Sequence, residues 1–185
     1  MTNNDTVHRP LGWALIGCGG AGNGHAQWAT STPDIAVRGF CDTRADSAKR
    51  FHDEYGGEYH TTDPGRIFAD PLVDIVSIAT SHNSHADLAV AACNAKKHLF
   101  LEKPMAMTTA DCLRIYEVMK VAGTKLMIDF SIRFSGAARA IKNRLRPPLV
   151  SHGQCRPIFQ VRDGKQQQDD RPLRRKESWS GRGKI

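Results

Sequence analysis

The chain has 185 residues, 40% of them hydrophobic, and a formal net charge of +7. This length suits one globular domain, and no apolar run approaches the roughly 20 residues that cross a bilayer, so we expect no membrane partner. The first residues lack the pattern of a secretion signal, and five scattered cysteines without C-x-x-C spacing predict reduced thiols in a cytoplasmic protein rather than disulfides or a zinc site.

The first predicted elements form a strand, a turn and a helix around a glycine-rich sequence. An apolar run, residues 13–16, is followed by G-x-G-x-x-G, which opens a helix. In such a unit the glycines permit a tight turn, admit a pyrophosphate and let the helix pack on the strand. The helix N-terminus then offers free N–H groups to the phosphates. The residues that we predict to bind a dinucleotide here are Gly17, Gly19, Gly20, Ala21 and Gly22.

The second predicted strand, residues 35–41, ends at an acidic residue. Asp42 follows Gly22 by 20 residues, the spacing at which a carboxylate accepts the ribose hydroxyls of an adenosine. Asp42 favours NAD because a 2′-phosphate would meet a carboxylate there. Arg44 could instead accommodate that phosphate, so NADP stays open. The pattern therefore predicts a nicotinamide dinucleotide, with NAD favoured over NADP.

Helical and strand patterns alternate as far as residue 145. This alternation predicts right-handed βαβ units and an α/β fold with a doubly wound parallel sheet of the Rossmann type over residues 11–146, preceded by a tail at residues 1–10. After the second strand, the sequence predicts a helix ended by Gly56-Gly57, a turn at 63–65 and a strand at 73–79. A helix from 83–84 follows, and Lys96-Lys97 at its end should interact with the negative end of its dipole. The last signals are a strand at 98–101, a helix opened by a capping box at Thr108 and Asp111, a strand at 125–130 and a helix capped by Ser135.

Two segments follow parallel strands and therefore lie at the carboxyl edge of the sheet, where ligands of such folds bind. Lys103, in Glu102-Lys103-Pro104, could orient a substrate hydroxyl or help to move its proton; the alternative is a surface lysine paired with Glu102. The segment 80–85 could face the cofactor's phosphates or ribose. Its two histidines, without a third ligand, predict capping rather than metal binding. Asp129 and Arg133 follow the last predicted strand and lie at the same edge, where they either contact a ligand or form an ion pair with each other.

Together, the glycine fingerprint, Glu102-Lys103-Pro104, the strand leading to segment 80–85, and Arg133-Phe134 resemble the Gfo/Idh/MocA oxidoreductases over about residues 11–145. The resemblance implies an NAD(P)-dependent enzyme that transfers a hydride to or from the carbinol carbon of a sugar or polyol. It implies Lys103 as the catalytic residue beside nicotinamide and substrate. The residues that it implies around the cofactor are Thr80, His82, His85, Glu102 and Lys103.

The sequence departs from that family in two ways. Ser81 and His82 stand where members commonly carry Pro and Asn, and Ser131 stands where Asn is common. The family also continues into a second α/β substrate domain, and nothing after Leu145 resembles it. We therefore expect the substrate domain to be absent, the cofactor-binding half to be inactive alone, and its uncovered surface to favour self-association into a homo-oligomer.

The C-terminal segment differs in composition from the rest. Residues 1–138 carry 13 Lys/Arg and 15 Asp/Glu, whereas residues 139–185 carry 13 and 4. The segment 147–185 is predicted to be a basic, disordered tail, and the abrupt change suggests a frameshifted or truncated gene. Two other hypotheses stay open: a non-catalytic dinucleotide-binding subunit or sensor, and a nucleic-acid arm made by the tail. The tail lacks a series of stacking aromatics, which makes nucleic acid a poor fit.

Overall fold

The computed structural model describes residues 9–144. Its contacts divide the chain into two units, Met1–Arg139 and Ala140–Ile185; the first holds the whole sheet, and the described part of the second, residues 140–144, is helical. Residues 1–8 of the predicted tail 1–10, the predicted tail 147–185 and the predicted boundary at 146 lie outside the described residues. Among those described, no helix is both long and apolar enough to cross a membrane.

Six parallel strands form a single sheet with the order β3-β2-β1-β4-β5-β6. The strands are β1 Leu11–Ile16, β2 Ile35–Cys41, β3 Tyr59–Thr61, β4 Ile75–Ile78, β5 His98–Glu102 and β6 Leu126–Asp129. The helices are α1 Gly20–Ser31, α2 Ala45–Tyr55, α3 Pro64–Ala69, α4 His85–Asn94, α5 Thr109–Ala122 and α6 Gly136–Arg144. This is the predicted doubly wound Rossmann-type sheet. Its strand order reverses between β1 and β4, and such a fold binds ligands at the carboxyl end of that switch point.

The central strand β1 builds a core on each face of the sheet because its side chains alternate. Trp13 and Leu15 pack with α1 and α2, whereas Ala14 and Ile16 pack with α4 and α5. Trp13 is fully buried, and its indole N–H donates a 2.7 Å hydrogen bond to the hydroxyl of Ser77 on β4. Burial of a large apolar side chain stabilises the fold by about 1.5–3 kcal/mol, so β1 is anchored from both sides. That anchoring fixes the turn that follows it.

Several helix ends lie where the sequence predicts them, and one prediction is wrong. The Thr108 hydroxyl caps α5 by accepting the N–H of Asp111, and Gly123 ends the helix at a φ of 70°. The hydroxyl of Ser135 accepts the N–H of Ala138 in α6. Residues 63–65, predicted as a turn, instead begin α3, because Asp63 accepts the N–H of Gly65 at 2.8 Å and so satisfies the first turn of a helix.

Lys97, one of the two lysines predicted to lie against the dipole of α4, has a different role. The helix ends at Asn94, and Lys97, three residues later, is buried with 7% of its surface exposed. Its Nζ donates hydrogen bonds of 2.6 and 2.9 Å to the carbonyl oxygens of Asp70 and Val73. Lys97 therefore fastens the loop before β4 instead of meeting the dipole of its own helix.

Candidate functional site

The glycine turn joins β1 to α1 at the carboxyl edge of the sheet. Gly17 has a φ of +101°, and a Cβ built on it would lie 2.6 Å from the carbonyl oxygen of Ala79. A Cβ on Gly22 would lie 2.2 Å from the carbonyl oxygen of Gly17. Neither position tolerates a side chain, since real Cβ atoms do not come this close to backbone. These two glycines let the turn pack against the start of α1 and the end of β4.

The other glycines of the turn border open space. A Cβ on Gly19 or Gly20 would meet nothing within 4 Å. Gly19 is the N-cap of α1, no side chain caps the helix, and its first turn holds no acidic residue. Because the first N–H groups of a helix have no intrahelical acceptor, Gly20 and Ala21 offer donors to an anion in this space. The arrangement therefore fits a pyrophosphate. The adjoining cleft is lined by Gly19, Gly20, Asn23, Arg50, Phe51 and Glu54.

The carboxylate of Asp42 is fastened between this turn and the start of α2. Its Oδ2 accepts the backbone N–H of Cys18 at 2.8 Å, and its Oδ1 accepts the N–H of Arg44 at 2.9 Å. Each oxygen keeps a further lone pair for a ribose hydroxyl. Arg44 is the N-cap of α2, with its side chain exposed beside Asp42. The geometry fits an adenosine ribose next to a pyrophosphate on the turn.

The segment after β4 divides into exposed and buried parts. Thr80 bonds through its hydroxyl to the hydroxyl of Ser84 at 2.7 Å, and His82 is exposed in a short 3-10 helix. His85 is fully buried: its Nδ1 lies 2.8 Å from the carbonyl oxygen of Pro104, and its Nε2 lies 3.3 Å from that of Thr80. His85 therefore ties the loop after β4 to the loop after β5, and its ring nitrogens face backbone oxygens.

Lys103 follows β5 with its side chain exposed. Its backbone N–H donates to Glu102 Oε2 at 3.0 Å. The alternative ion pair between Lys103 and Glu102 does not form among the described residues; instead Glu102 Oε1 lies 3.4 Å from His25 Nε2. Among residues 9–144, no carboxylate forms an ion pair with the ammonium group of Lys103.

Asp129 likewise pairs with a residue other than the predicted one. Its Oδ2 lies 3.5 Å from His25 Nε2, and the ion pairs of residues 9–144 include none between Asp129 and Arg133. The sequence reasoning missed His25 because its partners lie far away along the chain. A signal did exist: the buried residues of α1 follow a helical period that includes His25, namely Gly22, His25, Ala26 and Ala29.

Two thiols lie next to the Asp42 carboxylate. Burial raises the pKa of Cys18 to about 12 and that of Cys41 to about 12, and the negative charge of Asp42 adds to both shifts. Both are therefore uncharged thiols at neutral pH, and a thiolate is the reactive form of cysteine. Cys18 is buried at the turn, with 2% of its surface exposed.

Comparisons with known proteins agree with this fold. The sequence model of the GFO_IDH_MocA family, described as "Oxidoreductase family, NAD-binding Rossmann fold", matches residues 11–130. A myo-inositol 2-dehydrogenase from Thermotoga maritima is 34% identical over 128 residues, 69% of this chain and 38% of that protein.

Solved structures with the same fold include a probable dehydrogenase from Thermotoga maritima, which has 34% identity and a TM-score of 0.67 over 72% of this chain and 39% of that one. Biliverdin reductase from Synechocystis, in complex with biliverdin and NADP+, has 26% identity and a TM-score of 0.68 over 74% of this chain and 43% of that one. The matched part of the chain thus covers less than half of each of these relatives.

Proposed function

Because the chain belongs to the Gfo/Idh/MocA family of oxidoreductases with an NAD-binding Rossmann fold, we propose that its glycine turn and Asp42 hold the adenosine end of NAD, in preference to NADP. The supporting observation is the open space at Gly19, at the uncapped start of α1, together with the Asp42 carboxylate, which accepts the N–H of the adjacent Cys18. Asp42 is the argument for NAD, since a 2′-phosphate there would meet its negative charge. Arg44, exposed beside it, is the side chain that would favour NADP.

The reaction that we propose is hydride transfer to or from the carbinol carbon of a sugar or polyol. The nicotinamide ring, when bound, supplies the hydride donor or acceptor. Lys103 is the proposed catalytic residue: its side chain is exposed after β5, where its neutral amine can accept the hydroxyl proton as the hydride leaves and its ammonium form can return that proton in the reverse reaction. His85 is a positioning residue, because it ties the loop of Thr80 to Pro104 next to Lys103. Thr80, His82 and Glu102 complete the proposed cofactor-facing set.

Binding is the activity that we propose for this chain alone, with little or no turnover. Hydride transfer needs the substrate held firmly against the nicotinamide, and among residues 9–144 we assign one catalytic side chain, Lys103. The matched segment covers 38% of the myo-inositol 2-dehydrogenase to which the chain is similar. The substrate class is proposed from the inositol dehydrogenase to which the chain is similar.

The test combines two measurements on the full chain. Calorimetric titration with NADH should give saturable binding, and absorbance at 340 nm with NAD+ and myo-inositol should stay at the background rate. Absence of binding would contradict the proposed function. A steady increase at 340 nm would contradict only the proposed lack of turnover, and would place a substrate site on this chain.

Self-association and a cytoplasmic location are also proposed. Three large apolar side chains after β6 are about half exposed or more, Phe130, Ile132 and Phe134, and a contiguous exposed apolar patch favours protein contacts. Size-exclusion chromatography should therefore give a mass above that of the monomer.

The proposed cytoplasmic location is supported by the cysteines of the described residues. They are free thiols, as a reducing compartment would keep them, namely Cys18, Cys41, Cys93 and Cys112. Fractionation of cells that produce the chain tests the location.

A further inference from the structure

We propose that His25, Glu102 and Asp129 form a binding site for a divalent transition-metal ion, with Zn²⁺ as the representative cation. One potential ligand atom from each residue lies within 4.8 Å of the other two. Imidazole nitrogen and carboxylate oxygen are both ordinary zinc ligands. Its ligands do not include Gly19 or Asp42, although Glu102 also belongs to the proposed cofactor-facing set, and its test needs no coenzyme.

The interatomic distances fit a bound cation better than they fit hydrogen bonds. His25 Nε2 lies 3.4 Å from Glu102 Oε1 and 3.5 Å from Asp129 Oδ2, yet among residues 9–144 neither ring nitrogen of His25 has a hydrogen-bond partner. Ligand atoms about 2.1 Å from a tetrahedral zinc ion lie about 3.4 Å from one another. The two measured separations match the edges of such a tetrahedron.

The negative charge of the two carboxylates also favours a bound cation. The side chains of Glu102 and Asp129 are 15% and 17% exposed, and they present two carboxylates to the same imidazole nitrogen. That nitrogen carries at most one proton and cannot satisfy both carboxylates. In the described part of the chain, no ion pair brings a lysine or arginine to either acid. A divalent ion between the three side chains would neutralise both carboxylates at once.

The fold holds the three ligands in place. His25 is 4% exposed on the buried face of α1, and its ring stacks on Phe100 of β5 with centroids 4.7 Å apart. Glu102 and Asp129 are register partners at the ends of the paired strands β5 and β6, so their carboxylates lie side by side. A bound ion would therefore fasten α1 to both strands. Three protein ligands also leave a fourth coordination position open for water or another ligand.

The experiment titrates the untagged full chain, stripped with a chelator, with ZnCl₂ alone in a calorimeter. Two conservative variants, Asp129→Asn and Glu102→Gln, each remove one charged ligand, and Asp87→Asn is the matched control at an exposed carboxylate of α4. Circular dichroism checks that each variant is folded. We expect the unmodified chain and Asp87→Asn to bind one equivalent of zinc with the same affinity. The zinc affinity of Asp129→Asn and of Glu102→Gln should be at least about 10-fold lower.

A second measurement covers the case in which a ligand variant folds poorly. An ion that binds only the folded state raises the unfolding temperature, so added ZnCl₂ should raise it for the unmodified chain and for Asp87→Asn. No saturable zinc uptake, or equal zinc affinity in folded Asp129→Asn and Asp87→Asn, would overturn the proposal. So would an unfolding temperature of the unmodified chain that zinc leaves unchanged. None of these outcomes bears on NADH binding, so the two proposals can fail separately.

Discussion

Asp42 Oδ2 accepts the backbone N–H of Cys18 at 2.8 Å, which fastens the acid at the end of β2 to the glycine turn after β1. The other oxygen accepts the N–H of Arg44. The residue predicted to meet a ribose thus also fixes the shape of the turn that meets the pyrophosphate. Loss of this carboxylate should affect both ends of the adenosine diphosphate group.

Substitutions at two glycines of the turn should affect different quantities, the free energy of unfolding in one case and the NADH affinity in the other. Gly22→Ala places a Cβ 2.2 Å from the carbonyl oxygen of Gly17, and such overpacking costs about 1–3 kcal/mol of unfolding free energy. Gly19→Ala places its Cβ in open space, so the free energy of unfolding should change by less than about 0.5 kcal/mol. Its methyl group would occupy the space proposed for the pyrophosphate, so NADH affinity should fall. Urea unfolding and NADH titration of both variants measure the difference, and unchanged NADH affinity in Gly19→Ala would contradict the site.

Lys103→Met should change the preference between oxidised and reduced coenzyme. The oxidised nicotinamide ring carries a positive charge and the reduced ring does not, so a nearby ammonium group disfavours NAD+ alone. Removal of one charge at about 4 Å in water should tighten NAD+ binding about 2- to 5-fold and leave NADH affinity nearly unchanged. Titration with each coenzyme gives the ratio. Lys125→Met, on the loop before β6, is the matched control, and an equal effect of both variants would argue against Lys103 at the nicotinamide.

The glycine turn and the capping of α5 were predictable because their signals are local. The glycines and the pair of Thr108 and Asp111 act on backbone a few residues away, and Asp42 was found by its fixed spacing of 20 residues after Gly22. The partners of His25 and Lys97 could not be read in this way, since both depend on which strands become neighbours in the sheet. Asp63 was interpreted as a turn residue because the same side-chain to backbone bond begins a turn or a helix.

The pair of Asp74 and Arg9 should make stability depend on acid pH. Burial raises the pKa of Asp74, but the hydrogen bonds from Arg9 and the Gly12 N–H, together with the charges of Arg9 and Lys97, outweigh it and hold the pKa below its usual value. A carboxyl whose pKa is lowered by folding stabilises the fold above its unfolded pKa of about 3.9, and that contribution is lost as pH falls through the folded pKa. The difference in unfolding free energy between the chain and Asp74→Asn should therefore be constant near neutral pH and shrink below about pH 4. Urea unfolding at several pH values measures it, and a difference independent of pH would contradict this role.

The buried thiols should lower stability in alkali. Folding raises the pKa of Cys41 from 9.0 to about 12, chiefly by burial. The folded state is therefore favoured fully below pH 9, and this contribution is lost as pH rises toward 12. Cys41→Ala should show a shallower decline of unfolding free energy over that range, whereas Cys112→Ala, at a partly exposed position, serves as the matched control. Equal slopes for the two variants would be inconsistent with a buried thiol at Cys41.

The most direct test of the dinucleotide site is calorimetric titration of NADH and NADPH into the full chain and into Asp42→Ala, with Asp46→Ala on the exposed first turn of α2 as the control. We predict binding of NADH near one per chain, tighter than that of NADPH. Asp42→Ala should weaken NADH binding at least about 10-fold, since it removes charged hydrogen bonds to the ribose, while Asp46→Ala should leave it unchanged. An unmodified, folded chain that binds neither coenzyme would contradict the account.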